Sequence, residues 1–412
     1  MLYELHEFKN AAMIPAHLWS EANGLFINTF ALDTSPWGRI FSASNEVIER
    51  ATRVYTKPEF ALTETMLKDG DQTKKCTVEE TVVLDRPFCN LVHFKRSYDG
   101  HIIGSNDPNV LIVAPLSGHF ATLLRDTVRA LLPDHNVWIT DWKDARLISL
   151  NEGPFTLDHY TDSLLEFLSI FQGNIHVIAV CQPVVPVLMA TAYLAMIDSP
   201  QQPKSITLMG GPVDARVNPG VVNKFAREHD MNWFERNIVD KIPSYYPGAG
   251  RSVCPGFIML NGFMSLHIER HQEASFELFQ HLVQGDMEPV KTHKLFYDEY
   301  RSVLDVPAEY YLQSISRVFQ TFDLPLGRMT FRGHPINPEF IQKTALLTIE
   351  GERDDISCPG QTYAAHHLCS QLSAQKKEFY VQDGVGHYGI FNGKRWREVI
   401  KPKIGAFIRR FD

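Results

Sequence analysis

A chain of 412 residues, 44% hydrophobic and 21% charged, has room for one large domain with an insertion, or for two domains, and its composition is ordinary for a globular protein. A net charge of −8, with a pI near 6.1, argues against nucleic acid as a partner, because a binding face needs clustered Lys and Arg. Six cysteines without C-x-x-C spacing make no disulfide framework in a chain this long, and read as reduced thiols of a cytoplasmic protein.

The amino-terminal stretch, Met1-Leu-Tyr-Glu-Leu-His-Glu-Phe-Lys, is mixed and charged and lacks the basic start and apolar core of a signal peptide. Residues 1–72 read as a helical segment rich in aromatics, among them Trp19, Phe26, Phe30, Trp37 and Phe41. Thr77 to Leu84 alternates as a strand, Asp85-Arg-Pro87 turns, and Asn90 to Phe94 returns. Val110 to Ala114 is a buried-type strand, Phe120 to Leu132 a helix, and Asn136 to Thr140 a strand. Asp158 to Phe171 carries helical apolar spacing at Leu164, Leu165, Leu168 and Phe171. Ile175 to Val180 is a strand that runs into Cys181-Gln-Pro183 and then into an apolar helix-like segment ending near Ile197. That segment is too short to span a membrane and contains Pro186. Ser205 to Met209 is the next strand, ending at Gly210-Gly211-Pro212.

Such alternation predicts an α/β fold: a mostly parallel, twisted sheet with helices on both faces. It stops near Val213 and resumes at the strand from Ala345. The expected organisation is a core of residues 73–212 and 344–412 interrupted by a helical cap or lid, 213–343. Most of the cap aromatics should pack its own interior. A few should line a substrate channel or an adsorption patch.

A strand running into a nucleophile on a sharp turn, with a helix leaving it, is how an α/β-hydrolase presents its reactive side chain. Here the usual G-x-S-x-G becomes Ala179-Val-Cys-Gln-Pro183, with a thiol in the nucleophile slot. The same fold places an acid and then a histidine after later strands. Glu352-Arg-Asp354-Asp355 follows the strand ending at Gly351, and Gly386-His387-Tyr388-Gly389 follows the strand Lys377 to Val381. Cys181, Asp354 and His387 therefore read as nucleophile, orienting acid and base. Asp355 is the rival acid, less well placed after the turn. An oxyanion hole needs two amides, one from Gln182 and one from Leu116 or Ser117, with Ser117 favoured. His119 is either a substrate contact, a rival base or a plain loop residue. Ser252, in Gly250-Arg-Ser-Val-Cys254, follows a loop and is dismissed as a nucleophile. The His267/His271 pair lacks a third metal ligand and reads as a solvated helix face, so no metal is expected. No nucleotide or other cofactor motif is present.

The chain resembles the intracellular polyhydroxyalkanoate (polyhydroxybutyrate) depolymerases. The resemblance runs from about Thr77 to Phe407. It rests on Ala179-Val-Cys-Gln-Pro183, Ala114-Pro-Leu-Ser-Gly-His119, Ile139-Thr-Asp-Trp142, Leu208-Met-Gly-Gly-Pro-Val-Asp214, Glu350-Gly-Glu-Arg-Asp-Asp-Ile356 and Gly384-Val-Gly-His-Tyr-Gly389. It implies hydrolysis of stored poly-3-hydroxybutyrate through an acyl-cysteine, with Cys181, Asp354 and His387 as the triad. His119 and Trp142 fall among its motifs as substrate contacts. The polymer granule is the implied partner, and a cytoplasmic, granule-associated protein the implied setting. A thioester intermediate also makes coenzyme A a chemically reasonable acyl acceptor. The alternatives are an acyltransferase, thioesterase or carboxylesterase acting on a soluble ester with the same triad, and a non-catalytic granule-binding protein.

Overall fold

The computed structural model describes residues 2–30, 34–69, 72–104 and 106–412. Two helices lead, α1 (Leu2–Thr29) and α2 (Pro36–Thr52). Ser35 caps α2 by accepting from the Gly38 amide at 3.0 Å, and Pro36 opens the helix where no amide partner is needed. Antiparallel strands β1 (Glu64–Asp69), β2 (Gln72–Asp85), β3 (Cys89–Tyr98) and β4 (His101–Ile102) follow. β1 lies inside the segment read as helical. Its alternation is faint, with Thr65 buried but Met66 half exposed, and its pairing along β2 from Glu64↔Thr77 sets it as a strand.

The parallel strands come next: β5 (Asn109–Val113), β6 (Asn136–Trp142), β7 (His176–Val180) and β8 (Ser205–Met209), with helices α3 (Arg125–Leu131), α4 (Leu157–Phe171) and α5 (Val184–Met196) between them. An insertion then leaves the sheet. It holds α6 (Val221–Glu228), α7 (Met231–Asn237), β9 (Asp240–Lys241), β10 (Ser252–Cys254), α8 (Gly256–Leu266), α9 (Ile268–Gln284), α10 (Met287–Arg301), β11 (Val306–Pro307), α11 (Ala308–Ser314), β12 (Thr330–Phe331) and β13 (His334–Pro335). The insertion is thus not wholly helical. β11, β10 and β9 form a small antiparallel sheet that the aromatic-rich sequence did not announce. The chain returns through β14 (Ala345–Gly351) and β15 (Lys377–Gln382) to a closing helix, Lys401–Phe411.

The main sheet has the order β1-β2-β3-β6-β5-β7-β8-β14-β15, with β4 on β3. Every pair from β6 to β15 is parallel, whereas β1 to β3 run antiparallel onto β6. This is the α/β-hydrolase arrangement. β7, β8 and β14 are buried along their whole length, as strands covered on both faces must be. Their carboxyl ends converge on one edge of the sheet.

The leading helices pack on the insertion. The Tyr3 amide donates to Asp240 Oδ2 at 3.1 Å, the Tyr3 hydroxyl binds the Asp305 carboxylate, and His6 stacks on Phe257. On α2, Arg50 pairs with Asp298 of α10 at 2.7 Å.

Candidate active site

β7 is entirely apolar apart from His176, and α5 is apolar almost all round, with ten of its thirteen residues buried. Both elements are fixed by burial, so the three residues joining them must turn sharply. Cys181 absorbs that turn with φ +68, a conformation that costs a side-chain-bearing residue energy and that clusters at functional sites. Its amide donates to Met209 O at 2.7 Å, and its own carbonyl accepts from Val184 at 3.3 Å. Five cysteines are buried, while Cys181 is partly open.

Two other strand ends meet the thiol. After β14, Asp354 turns inward and is fully buried. Its Oδ1 accepts from the Ile356 and Ser357 amides at 3.0 and 2.9 Å, and its Oδ2 accepts from His387 Nδ1 at 2.7 Å. Asp355 turns outward instead and pairs with His267 of the insertion. Of the two adjacent carboxylates, only Asp354 reaches His387. Burial works against charge on His387, but Asp354 and the Cys181 sulfur together outweigh it, and the imidazole is held protonated well above the ordinary histidine range. With Nδ1 committed to Asp354, Nε2 is left for the sulfur. A cysteine facing an imidazole that a carboxylate orients is chemically equipped for acyl transfer.

Gly210 and Gly211 make this meeting possible, and neither reads as a site residue in the sequence. At Gly210, φ +56, a Cβ would stand 3.1 Å from Asp354 Oδ2 and 3.3 Å from His387 Cε1. At Gly211 it would stand 2.3 Å from Cys181 O. The motif Met-Gly-Gly-Pro was visible, but its function is an absence of atoms.

The loop after β5 approaches the elbow from the other side. Leu116 donates its amide to Gln182 Oε1 at 3.2 Å, and Ser117 follows, half-buried. The loop is pinned from above: Leu304 donates to Gly118 O at 2.8 Å. His119 is buried and donates from Nε2 to Tyr300 O at 3.0 Å. Burial pushes His119 down to about 4, so it is neutral, and with Nε2 protonated it serves as a structural donor rather than a base. Its part is to tie this loop to α10, which corrects its reading as a substrate contact. Trp142 is likewise core. It is fully buried, its Nε1 donates to Ala114 O at 2.8 Å, and its ring lies against Tyr160. A motif tryptophan close in sequence to the site therefore shapes the loop from beneath.

Tyr388 and Tyr300, neither singled out as a site residue in the sequence, form the wall over His387. Their rings stand 5.6 Å apart, and Tyr388 lies edge-on to His387 at 5.7 Å. Burial raises Tyr300 to about 12, so both phenols stay protonated. Ser252 sits in β10 of the insertion, on no elbow. His271 bonds the Tyr297 hydroxyl at 2.9 Å while His267 takes Asp355, so the two rings serve different partners. No group of three metal-ligating side chains occurs among the described residues.

Residues 210–412 match the family described as PHB de-polymerase C-terminus. No curated protein matches the chain. Among solved structures the chain is similar to a hydrolase from Oleispira antarctica, at 12% identity and TM-score 0.45, covering 78% of this chain and 94% of that one. It is similar to a 2-hydroxy-6-oxo-6-phenylhexa-2,4-dienoate hydrolase from Rhodococcus sp., at 13% identity and TM-score 0.42, covering 81% and 99%. It is also similar to a thermophilic esterase from Thermogutta terrifontis, at 14% identity and TM-score 0.40, covering 84% and 98%. These likenesses are distant. The fold is carried by the strand order and the elbow.

Proposed function

We propose that the chain is an ester hydrolase of the PHB depolymerase family, whose C-terminal region residues 210–412 match, and that it cleaves poly-3-hydroxybutyrate through an acyl-cysteine formed on Cys181. The single observation that carries the proposal is the Asp354–His387 hydrogen bond of 2.7 Å beside a partly open cysteine held at φ +68.

The steps follow from these atoms. The Cys181 thiolate attacks the ester carbonyl carbon, and the carbonyl electron pair moves to oxygen. The oxyanion rests on the Gln182 and Ser117 amides. Leu116, whose amide is engaged by the Gln182 side chain, positions the loop that offers Ser117. Collapse of the tetrahedral adduct breaks the ester C–O bond. His387 gives the departing alkoxide a proton from Nε2, leaving a 3-hydroxyacyl thioester. Water then attacks the thioester, His387 takes its proton, and the thiolate leaves to pair again with the imidazolium. Asp354 fixes the tautomer throughout and takes no proton. A thiol such as coenzyme A is a competing acceptor at the last step, distinguishable by a thioester product.

In this reading the insertion is a cap over the thiol, and the polymer enters beneath Tyr300 and Tyr388. The enzyme on this reading works at a granule surface in the cytoplasm; among the described residues no helix is long and apolar enough to cross a membrane. Acid quenching during turnover of a soluble 3-hydroxybutyrate oligomer, followed by peptide mass spectrometry, tests the chemistry. A 3-hydroxybutyryl adduct is expected on the Cys181 peptide. An adduct on another residue would overturn the assignment.

A further inference from the structure

Helix α1 is amphipathic the wrong way round. A surface helix normally buries its apolar stripe and shows its polar face. Here Leu5, Phe8, Trp19 and Phe26 recur at spacings of 3, 11 and 7 residues, which puts them on one face. That face is open to solvent: Leu5 is 68% exposed and Phe8 74%. The opposite face, turned to the protein, buries Tyr3 and Ile27 among small and polar residues. Ser20 is buried, its carbonyl accepts from Asn45 Nδ2 of α2 at 2.8 Å, and Asn10 bonds His6 at 3.0 Å. α2 adds Trp37, 81% exposed. Among the described residues, thirteen of the thirty-four exposed large apolar side chains lie before residue 53, far more than chance scatter over a surface accounts for.

We propose that the outward faces of α1 and α2 adsorb the enzyme to the amorphous surface of an aliphatic polyester. This inference rests on the polyester reading above. Three observations choose that occupant. The stripe is nearly uncharged: α1 carries Lys9 as its one basic residue against Glu4, Glu7 and Glu21, whereas an anionic bilayer is met by clustered Lys and Arg. The stripe itself is aromatic, with Ala12, Pro15 and Ala22 in its gaps, and the exposed aliphatics of α1, Ile14, Leu18 and Leu25, lie to one side of it. A polyester surface offers methyl groups and ester carbonyls, acceptors without charge, and the indoles of Trp19 and Trp37 present to it an apolar body with one N–H donor.

The stripe also joins the site mechanically. Arg50 of α2 pairs with Asp298 of α10, and Arg301 Nη1 of α10 donates to Arg50 O at 2.9 Å. α10 carries Tyr300, which forms the wall against Tyr388 and His387. From Leu5 to Phe26 the stripe runs roughly 32 Å, so one rigid helix sets the orientation of that wall over the polymer.

The test is the full chain with Leu5, Phe8, Trp19 and Phe26 all changed to Gln. Wild type and variant are compared in co-sedimentation with protein-free amorphous poly-3-hydroxybutyrate granules, in granule degradation, in turnover of a soluble 3-hydroxybutyrate trimer, and in sedimentation velocity. Granule binding and degradation should fall together by at least about tenfold, equivalent to about 1.4 kcal/mol, with trimer turnover unchanged. Wild-type binding by the variant overturns the proposal and leaves the polyester reading standing. Dissociation of a wild-type dimer with granule binding intact assigns the stripe to a second copy and overturns it. Wild-type binding to phosphatidylglycerol vesicles but not to granules assigns it to a membrane. A wild type that turns over soluble esters but neither binds nor degrades granules defeats the polyester reading, and this proposal with it.

Discussion

Gly210→Ala is the perturbation that most directly probes how the proposed triad is held. Gly210 follows β8 at φ +56, and a left-handed alanine costs roughly 1–2 kcal/mol wherever it occurs. The added methyl meets three groups at once. It would lie 2.6 Å from Ile390 Cδ1, 3.1 Å from Asp354 Oδ2 and 3.3 Å from His387 Cε1. Ile390 ends in a flexible side chain and can turn aside. The carboxylate cannot, because Ile356 and Ser357 hold its other oxygen. The Asp354–His387 hydrogen bond of 2.7 Å therefore has to shift. A displacement on the order of 1 Å can cost about a hundredfold in rate, and we expect kcat on a soluble oligomer to fall about 10- to 100-fold. Gly327→Ala is the control, since Gly327 also has positive φ (+66) but open space where the methyl would go. Both variants should lose similar backbone stability, and only Gly210→Ala should lose turnover and alter the pH profile of Cys181 alkylation. Equal turnover in the two variants would refute the reasoning.

Three further outcomes are expected. Iodoacetamide should label Cys181 first among the six cysteines, because it is the open one and sits beside the His387 imidazolium, while burial pushes Cys369 up to about 12 and Cys89 well above its ordinary value; peptide mapping that finds another cysteine labelled as fast contradicts this. Asp354→Asn should cut kcat by about 10⁴, as loss of the orienting carboxylate does in a serine triad, whereas Asp355→Asn should leave it within severalfold; similar losses in both would place the acid wrongly. Acid should destabilise the fold early. Burial pushes His119, His176, His293 and His366 down to about 4, so between pH 6.5 and 4 the unfolded chain binds their protons and the folded chain does not. Their contribution to stability is complete above pH 6.5 and is lost as pH falls toward 4, at up to about 1.4 kcal/mol per pH unit for each. Urea midpoints measured at pH 7, 6 and 5 should fall accordingly, and a flat series would contradict it.

The parts of the site legible in the sequence were those written in hydrophobic pattern. β7 and α5 are apolar enough that the Cys181 turn between them could be seen, and β14 and β15 point to Asp354 and His387 in the same way. The choice between Asp354 and Asp355 was harder, because neighbouring residues of one type differ only in which way the turn sends them. One goes inward to two amides and a histidine, the other outward to His267. His119 and Trp142 misled for the converse reason. A polar aromatic in a motif beside the site looks like a substrate contact, yet both are buried and hold the Ala114–His119 loop in place. Gly210 was hidden because its value lies in the space it leaves. β1 was hidden because its partner β2 supplies the order that its own residues lack. The aromatics of α1 and α2 were plain in the sequence, but a helix does not say which of its faces it will turn outward.

The central claim is that Cys181 opens polyester bonds, and the most direct measurement is release of 3-hydroxybutyrate from amorphous poly-3-hydroxybutyrate by wild type and by Cys181→Ala. Release by the wild type and none by the variant is the predicted result. Equal release by both would contradict it.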